Sequence, residues 1–425
     1  MQRRKLLKSA AALALASLLA PTAAPARSTT SSRPRLLVLG GGWGGLAAAR
    51  HLRALLPAAE ITLIDREQFF FSRPLSSRWL VGLSDEARLR HDLTEVAKAG
   101  GYRFLAGEIR GIDRVARRVD TDAGSLHYDW LLASPGIAED FSPWFGVDRD
   151  AADHCRQHHP SGFAEPAGLQ RLKAMLQAFR GGNLVMNIPP MPYRCPPAPY
   201  ERAVLIADWL QRQGLPGRIT ILDPNLPAIA FDRIFRDAYR DRILYMPQAS
   251  IRELDPGKKR IVTEFDTIDF DAAILMPAQR AASLPGLSAD GASPWLGVDA
   301  QTLQWPGDER VFVIGDAIDR VSTLFGHYPK TGQIAARQGR IAARQIAAGV
   351  EESSAAPELP DSTCIVIQRA EPLEMTRIDT HYRLRGDGEI MQTVKQQRLA
   401  QPADDDLAWA LAMFAELGLK APASP

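Results

Sequence analysis

The sequence predicts an α/β fold built from two Rossmann-like dinucleotide-binding domains and a small C-terminal α+β domain. Three observations carry this prediction. An apolar run at 36–39 leads through Gly40-Gly41-Gly42-Trp43-Gly44-Gly45 into an Ala- and Leu-rich stretch, and then into a second apolar run at 61–64. A second strand, helix, strand unit begins at Leu184 and ends at Asp223. Further on, Val311-Phe312-Val313-Ile314 runs into Gly315-Asp316, and an Ala-rich helix follows at 332–348. Short continuous apolar runs bounded by turn residues fit parallel strands buried on both faces.

Each element follows in order. Residues 46–56 form the first helix, and 103–105 and 130–133 are later strands of the same domain, with a polar meander between about 114 and 128. The first domain pauses near Ser142. A loop holding His154, Cys155, His158 and His159 leads to a helix at 166–179 and a strand at 184–188. The crossover helix is expected at 200–213 and the next strand at 219–222, just before Asp223. Where a second phosphate loop would follow Ile188, the chain has Pro189-Pro190-Met191-Pro192-Tyr193-Arg194-Cys195-Pro196-Pro197-Ala198-Pro199. Proline has no backbone N–H to cradle a pyrophosphate, so the second domain is expected to have lost its nicotinamide site. A polar linker at 351–361 precedes a C-terminal segment with no obvious chemistry of its own. The expected domains are therefore 33–150 with 291–350, then 151–290, then 351–425.

Composition narrows the class. A chain of 425 residues exceeds what one core serves, and 46% hydrophobic with 24% charged residues is the balance of a globular protein. Fifty-one basic against 49 acidic residues give a net charge of +2, which argues against a nucleic-acid partner. Three cysteines, Cys155, Cys195 and Cys364, are too few for a disulfide framework. Arg3, Arg4, Lys5 and Lys8 precede an Ala/Leu-rich stretch at 10–20 and a small-residue site, Ala24-Pro25-Ala26. That is the pattern of a cleaved export signal over 1–26, too short in its apolar part to serve as a membrane span. The adjacent arginines resemble a twin-arginine signal, and either export route implies a periplasm.

Gly40, Gly42 and Gly45 satisfy G-x-G-x-x-G after a strand and at the opening of a helix. Asp65 stands at the end of the next strand, where a carboxylate bonds a ribose hydroxyl. Two later runs, Tyr128-Asp129-Trp130-Leu131-Leu132-Ala133-Ser134-Pro135-Gly136 and Val313-Ile314-Gly315-Asp316, resemble the second and third FAD fingerprints of flavoproteins with two dinucleotide domains. The expected FAD contacts are Gly40, Gly42, Trp43, Gly44, Gly45, Asp65, Arg66, Ile109, Ser134, Pro135, Gly136, Gly315 and Asp316. The helix opening at Lys330-Thr331-Gly332 can aim its positive end at the reduced flavin. The clustered histidines are read as a solvated loop rather than a metal site, because no second ligand set accompanies them.

The run Pro192-Tyr193-Arg194-Cys195-Pro196-Pro197-Ala198-Pro199-Tyr200-Glu201-Arg202-Ala203 resembles the signature of the flavoprotein subunit of flavocytochrome c sulfide dehydrogenases. Met276-Pro277-Ala278-Gln279-Arg280-Ala281, Trp295-Leu296-Gly297-Val298-Asp299 and Gly315-Asp316-Ala317 extend the likeness. The resemblance implies a disulfide-reductase-like fold and a periplasmic FAD enzyme. Such an enzyme oxidises sulfide or another small reduced sulfur compound, passing electrons to a c-type cytochrome subunit or a soluble cytochrome c. No C-x-x-C-H haem site occurs here, so haem must come from that partner. Two departures qualify the likeness. Arg73 stands where family members with covalent flavin carry cysteine, which implies non-covalent FAD. Ile318 follows Ala317 where the resemblance places the second redox cysteine, leaving Cys195, the expected catalytic residue, without that partner. A disulfide offers an incoming nucleophile an electrophilic sulfur that one thiol cannot. Cys195 then either acts as a thiolate, its pKa lowered by Arg194, or is a small residue in a proline-rich turn, and Cys155 or Cys364 replaces the missing sulfur only if the fold brings one of them near. The alternatives are a flavin-binding electron-transfer or assembly subunit, and an NADH-dependent flavin reductase.

Overall fold

The computed structural model describes residues 33–163, 165–288 and 293–419. The expected export signal over 1–26 lies outside the described residues.

The first strand, Arg35–Leu39, lies between Glu60–Asp65 and Trp130–Ala133, all three parallel, with Leu37 opposite Thr62 on one side and Leu131 on the other. The six-stranded sheet runs in the order Gln304–Trp305, Asp308–Val313, Trp130–Ala133, Arg35–Leu39, Glu60–Asp65, Arg103–Ala106. Leu36 to Leu39 are buried without interruption, as a strand covered on both faces must be. One cover is the helix Trp43–Leu55, which packs against the late helix Gly332–Val350. Glycines permit close approach on both sides of this helix. A Cβ on Gly45 would lie 1.8 Å from the Gly40 carbonyl oxygen, and one on Gly339 would lie 2.3 Å from that of Gly44. Residues 44 and 339, far apart in the chain, thus meet through backbone contact, while Gly45 lets the helix start press against the strand and loop before it.

The second sheet is also parallel, ordered Ile243–Pro247, Gly217–Asp223, Gly182–Asn187, Ala272–Ile274. Its crossover helix, Ala198–Arg212, opens with proline in its first turn, where a missing N–H is harmless. The two halves are joined by an antiparallel pair, Ile137–Asp140 with Ala278–Ala281. Phe141 and Cys155 already pack with Val185, Leu222 and Ala273 of the second sheet. The crossing therefore comes about ten residues earlier than the expected boundary at residue 150.

Two local readings are corrected. The expected His/Cys loop is a helix, Arg149–His158, capped by Asp148, whose carboxylate accepts the Ala151 N–H. Its polar sequence hid the helical period, since Cys155 is the buried residue of its inner face. The polar meander is a three-stranded antiparallel sheet of Ile109–Asp113, Arg118–Thr121 and Gly124–His127. The C-terminal segment forms an antiparallel sheet, Ser362–Arg369, Glu374–Leu384 and Ile390–Arg398, followed by the helix Asp405–Glu416. Arg78 holds that helix with two hydrogen bonds of 2.6 Å to Asp406. Among the described residues no helix is long and apolar enough to cross a membrane.

Candidate functional site

A cavity of about 650 Å³ runs from the glycine loop to the inner face of the C-terminal sheet. Twelve of the thirteen expected FAD contacts line it, from Gly40 and Asp65 to Ser134, Gly315 and Asp316. Gly45 is the exception, because its place is between helix and strand.

The wall fits a dinucleotide. Gly42 precedes the helix Trp43–Leu55 without any capping side chain, so the first N–H groups of the helix face the cavity unclaimed by protein oxygen. That is where a pyrophosphate binds. Asp65 accepts hydrogen bonds from the N–H groups of Gly41 and Glu67, which fixes its carboxylate at the strand end beside the loop. Trp43 stacks on Phe414 with ring centroids 5.6 Å apart and meets Phe70 edge-on at 5.4 Å, tying the loop to the C-terminal helix. At the far side Thr331 caps the helix Gly332–Val350 through the Ile334 N–H, and Gly332 and Gln333 line the cavity.

Cys195 sits in the same wall with φ +51°, a left-handed conformation seldom adopted by non-glycine residues. Its N–H donates to the Lys330 carbonyl at 2.8 Å, and its own carbonyl accepts the Ala198 N–H at 2.9 Å. Its neighbour Arg194 donates through Nε to Asp316 at 2.6 Å, through Nη1 to the Phe163 carbonyl at 2.8 Å, and through its backbone N–H to Gln279 at 2.8 Å. Asp316 thus links the strand end of the cofactor sheet to the loop of the second sheet. Burial pushes the Cys195 thiol up to about 12, with the Glu201 carboxyl as the next cause. The expected thiolate activation by Arg194 is therefore corrected: the Arg194 guanidinium is committed to Asp316, and desolvation governs the sulfur.

Of the two cysteines that could stand in for the one missing at residue 318, it is Cys364 that comes to this cavity. Cys364, on the C-terminal strand Ser362–Arg369, lines the same cavity. Burial raises its thiol well above the usual range, and Cys195 is the second cause. Both are free thiols here. Ile318 is buried away from the cavity, where its carbonyl accepts the Lys330 ammonium at 2.9 Å. Cys155 is fully buried in the second core.

Two further residues, Glu201 and Lys330, were assigned no role of their own from the sequence, and Arg73 was read there only as marking a non-covalent flavin. Glu201, in the first turn of the crossover helix, accepts the Ile367 N–H at 2.9 Å and faces the thiol pair; burial lifts its carboxyl to about 7. Lys330 is buried with Nζ 3.5 Å from the Trp295 ring centroid and donates to the carbonyls of Asp316 and Ile318; burial lowers it to about 8. Arg73 lines the cavity and donates to the Phe163 carbonyl at 3.2 Å; burial, then Arg194 and Arg202, lower it to about 9. Glu201 was readable in the signature run; Cys364 had no local signal beyond being a cysteine.

This arrangement, two parallel sheets with a glycine loop and the strand-end acids Asp65 and Asp316 lining a long cavity, defines a flavoprotein with two dinucleotide domains of the disulfide-oxidoreductase type. Its cofactor is FAD. Two family profiles match: pyridine nucleotide-disulphide oxidoreductase over 34–162, and the central region of the sulfide dehydrogenase [flavocytochrome c] flavoprotein chain over 169–277. The chain fits the flavoprotein sulfide dehydrogenase superfamily. It is 24% identical over 314 residues to the mitochondrial sulfide:quinone oxidoreductase of Mus musculus, spanning 68% of this chain and 66% of that one. Against the type II NADH:quinone oxidoreductase of Staphylococcus epidermidis it is 33% identical over 122 residues, 27% of this chain and 29% of the other. It therefore spans just under two thirds of the mouse protein and less than a third of the staphylococcal one. The solved sulfide:quinone oxidoreductase of Aquifex aeolicus shares the fold with a TM-score of 0.74 at 17% identity, covering 92% of this chain and 93% of that one.

Proposed function

We propose that this protein is a periplasmic oxidoreductase that oxidises a small reduced sulfur compound at Cys195 and Cys364 and passes the electrons, through non-covalent FAD, to a c-type cytochrome. The observation that carries the reading is the placement of two cysteines in the wall of the FAD cavity. Arg73 at the position implied for covalent attachment supports a non-covalent flavin, since a guanidinium forms no such bond. The signal pattern over 1–26 supports export.

With hydrosulfide as substrate, the reaction starts from the Cys195–Cys364 disulfide. The ion attacks one sulfur; a new sulfur–sulfur bond holds the substrate atom, and the other cysteine leaves as thiolate. A second hydrosulfide removes the bound sulfur as hydrodisulfide, leaving both cysteines reduced. Reoxidation of the pair to the disulfide releases two electrons and the thiol protons. The chemistry FAD supplies when bound is acceptance of those two electrons and their release one at a time. Glu201, poised near 7 beside both sulfurs, takes up a thiol proton as the pair closes. Lys330 and Gln279 hold the backbone of the Cys195 loop, and the helix that starts at Gly332 presents its positive end to the cavity, where it would favour a reduced flavin.

A second reading concerns the acceptor. Ile365, Val366, Ile378, Trp409 and Met413 give the C-terminal end of the cavity an apolar lining, which suits a quinone. NADH as donor is disfavoured by Pro189, Pro190 and Pro192, which supply no N–H groups to a pyrophosphate.

The test is anaerobic titration of the FAD-loaded protein with sulfide, following oxidised-flavin absorbance, in wild type, Cys195→Ser, Cys364→Ser and Cys155→Ser. Bleaching is expected in wild type and Cys155→Ser and is expected to disappear in the other two. Absence of bleaching in wild type sinks the sulfur reading. Reoxidation by cytochrome c or by a short-chain quinone then separates the acceptors.

A further inference from the structure

In a nicotinamide-binding domain the acid at the end of the second strand receives a ribose. Asp223 occupies that place at the end of Gly217–Asp223, and it is fully buried. Its Oδ2 accepts the hydroxyls of Tyr200 at 2.6 Å and Tyr245 at 2.7 Å, and its Oδ1 accepts both the backbone N–H and the side-chain NH₂ of Asn225 at 2.9 Å. Four donors fill the carboxylate, so no acceptor capacity is left for a ribose.

The donors lead back to the thiol loop. Asn225 also donates to the Pro189 carbonyl at 2.9 Å and accepts the Met191 N–H at 3.0 Å, gripping the run that replaces the phosphate loop. Tyr200 lies in the first turn of the crossover helix, just beyond Cys195, and stacks on Phe231. Within the loop, the Tyr193 hydroxyl donates to the Pro196 carbonyl at 2.9 Å. Cys195 thus lies between two anchors: Lys330 and Gln279 on the cofactor side, and Asp223 on the other. A left-handed non-glycine residue persists where its surroundings over-determine it.

We infer that Asp223, through Asn225 and Tyr200, is the positioning residue that holds Cys195 in its left-handed conformation, so that the second nucleotide site has become the mount of the reacting thiol. The inference rests on the thiol reading proposed above. It also explains why loss of nicotinamide binding need not have emptied this crevice of polar groups: the same acid is retained with new donors.

The experiment measures alkylation of each cysteine by iodoacetamide in the FAD-loaded, reduced protein, resolved by peptide mass spectrometry, for wild type, Asp223→Asn and Asn225→Ala. An amide at 223 offers one acceptor oxygen in place of two, so one pair of donors is left unpaired. Cys195 is expected to react about tenfold faster in both variants, the factor corresponding to loss of one hydrogen bond to a charged group. Cys155, fully buried in the same domain, is the internal reference and is expected to keep its rate, with flavin content unchanged. An unchanged Cys195 rate, or a parallel rise at Cys155, overturns the inference. Should Asp223→Asn fail to fold, Asn225→Ala, which leaves the acid and both tyrosines in place, decides. Because no sulfide enters this measurement, failure of the sulfur reading is seen separately in the titration above.

Discussion

Replacing Glu201 by Gln is expected to raise the stability of the protein above neutral pH and leave it nearly unchanged in mild acid. Burial lifts this carboxyl from its ordinary 4.5 to about 7, so the folded protein holds a proton that the unfolded chain has released across that window. A native state that binds more protons loses stability as pH rises. The loss begins near pH 4.5 and is complete above about 7. At 1.36 kcal/mol for each pH unit separating the two values, the penalty carried by wild type at pH 8 is about 3 kcal/mol. Glutamine keeps an acceptor for the Ile367 N–H and carries no charge, so the variant escapes that penalty. Thermal unfolding of the FAD-loaded proteins at pH 5 and pH 8 provides the assay, with the midpoint gap between variant and wild type opening in favour of Glu201→Gln as pH rises. A gap of the same size at both pH values would refute a carboxyl held neutral by burial. The same variant should slow sulfide-dependent bleaching while retaining FAD, because the proton acceptor beside the thiols is gone.

Two further expectations follow from the geometry. Gly45→Ala drives a methyl into the Gly40 carbonyl 1.8 Å away, and the loop must shift; the purified variant is expected to carry little FAD by absorbance, whereas a full flavin complement would show the glycine packing to be dispensable. Asp406→Asn keeps one acceptor for Arg78 but removes the other and the charge, leaving Asp404 at 3.9 Å as the nearby carboxylate, at a cost of about 1–3 kcal/mol. Limited proteolysis should then cut the C-terminal helix Asp405–Glu416 first, and equal protease resistance in variant and wild type would argue that Trp409 and Phe414 alone secure it.

The glycine loop, Asp65 and the return strand ending at Gly315-Asp316 were legible because each depends on local chemistry: a tight turn, a helix start, a strand end. The proline-rich loop was legible for the same reason, since a missing N–H is a property of the residue itself. Cys364 was not. Its proximity to Cys195 is set by the C-terminal sheet folding back over the crossover helix, and no spacing between residues 195 and 364 encodes that. The helix Arg149–His158 hid behind polar side chains, although Asp148 three residues before Ala151 was a usable cap signal. The strands between Ile109 and His127 are short and half exposed, so their alternation is faint. Asp223 was seen as a strand end, but that its carboxylate is saturated by Tyr200, Tyr245 and Asn225 depends on side chains converging from three elements.

The two sulfurs reach the cavity from opposite parts of the chain, Cys195 from the middle and Cys364 from the final sheet. During synthesis the glycine loop, the strand-end acids and the Cys195 loop are all made before residue 364 leaves the ribosome. Until then the cavity has one thiol and no C-terminal wall. A dinucleotide can therefore settle against the nascent wall before any disulfide can close beside it, and the reactive centre is completed only when the last sheet docks.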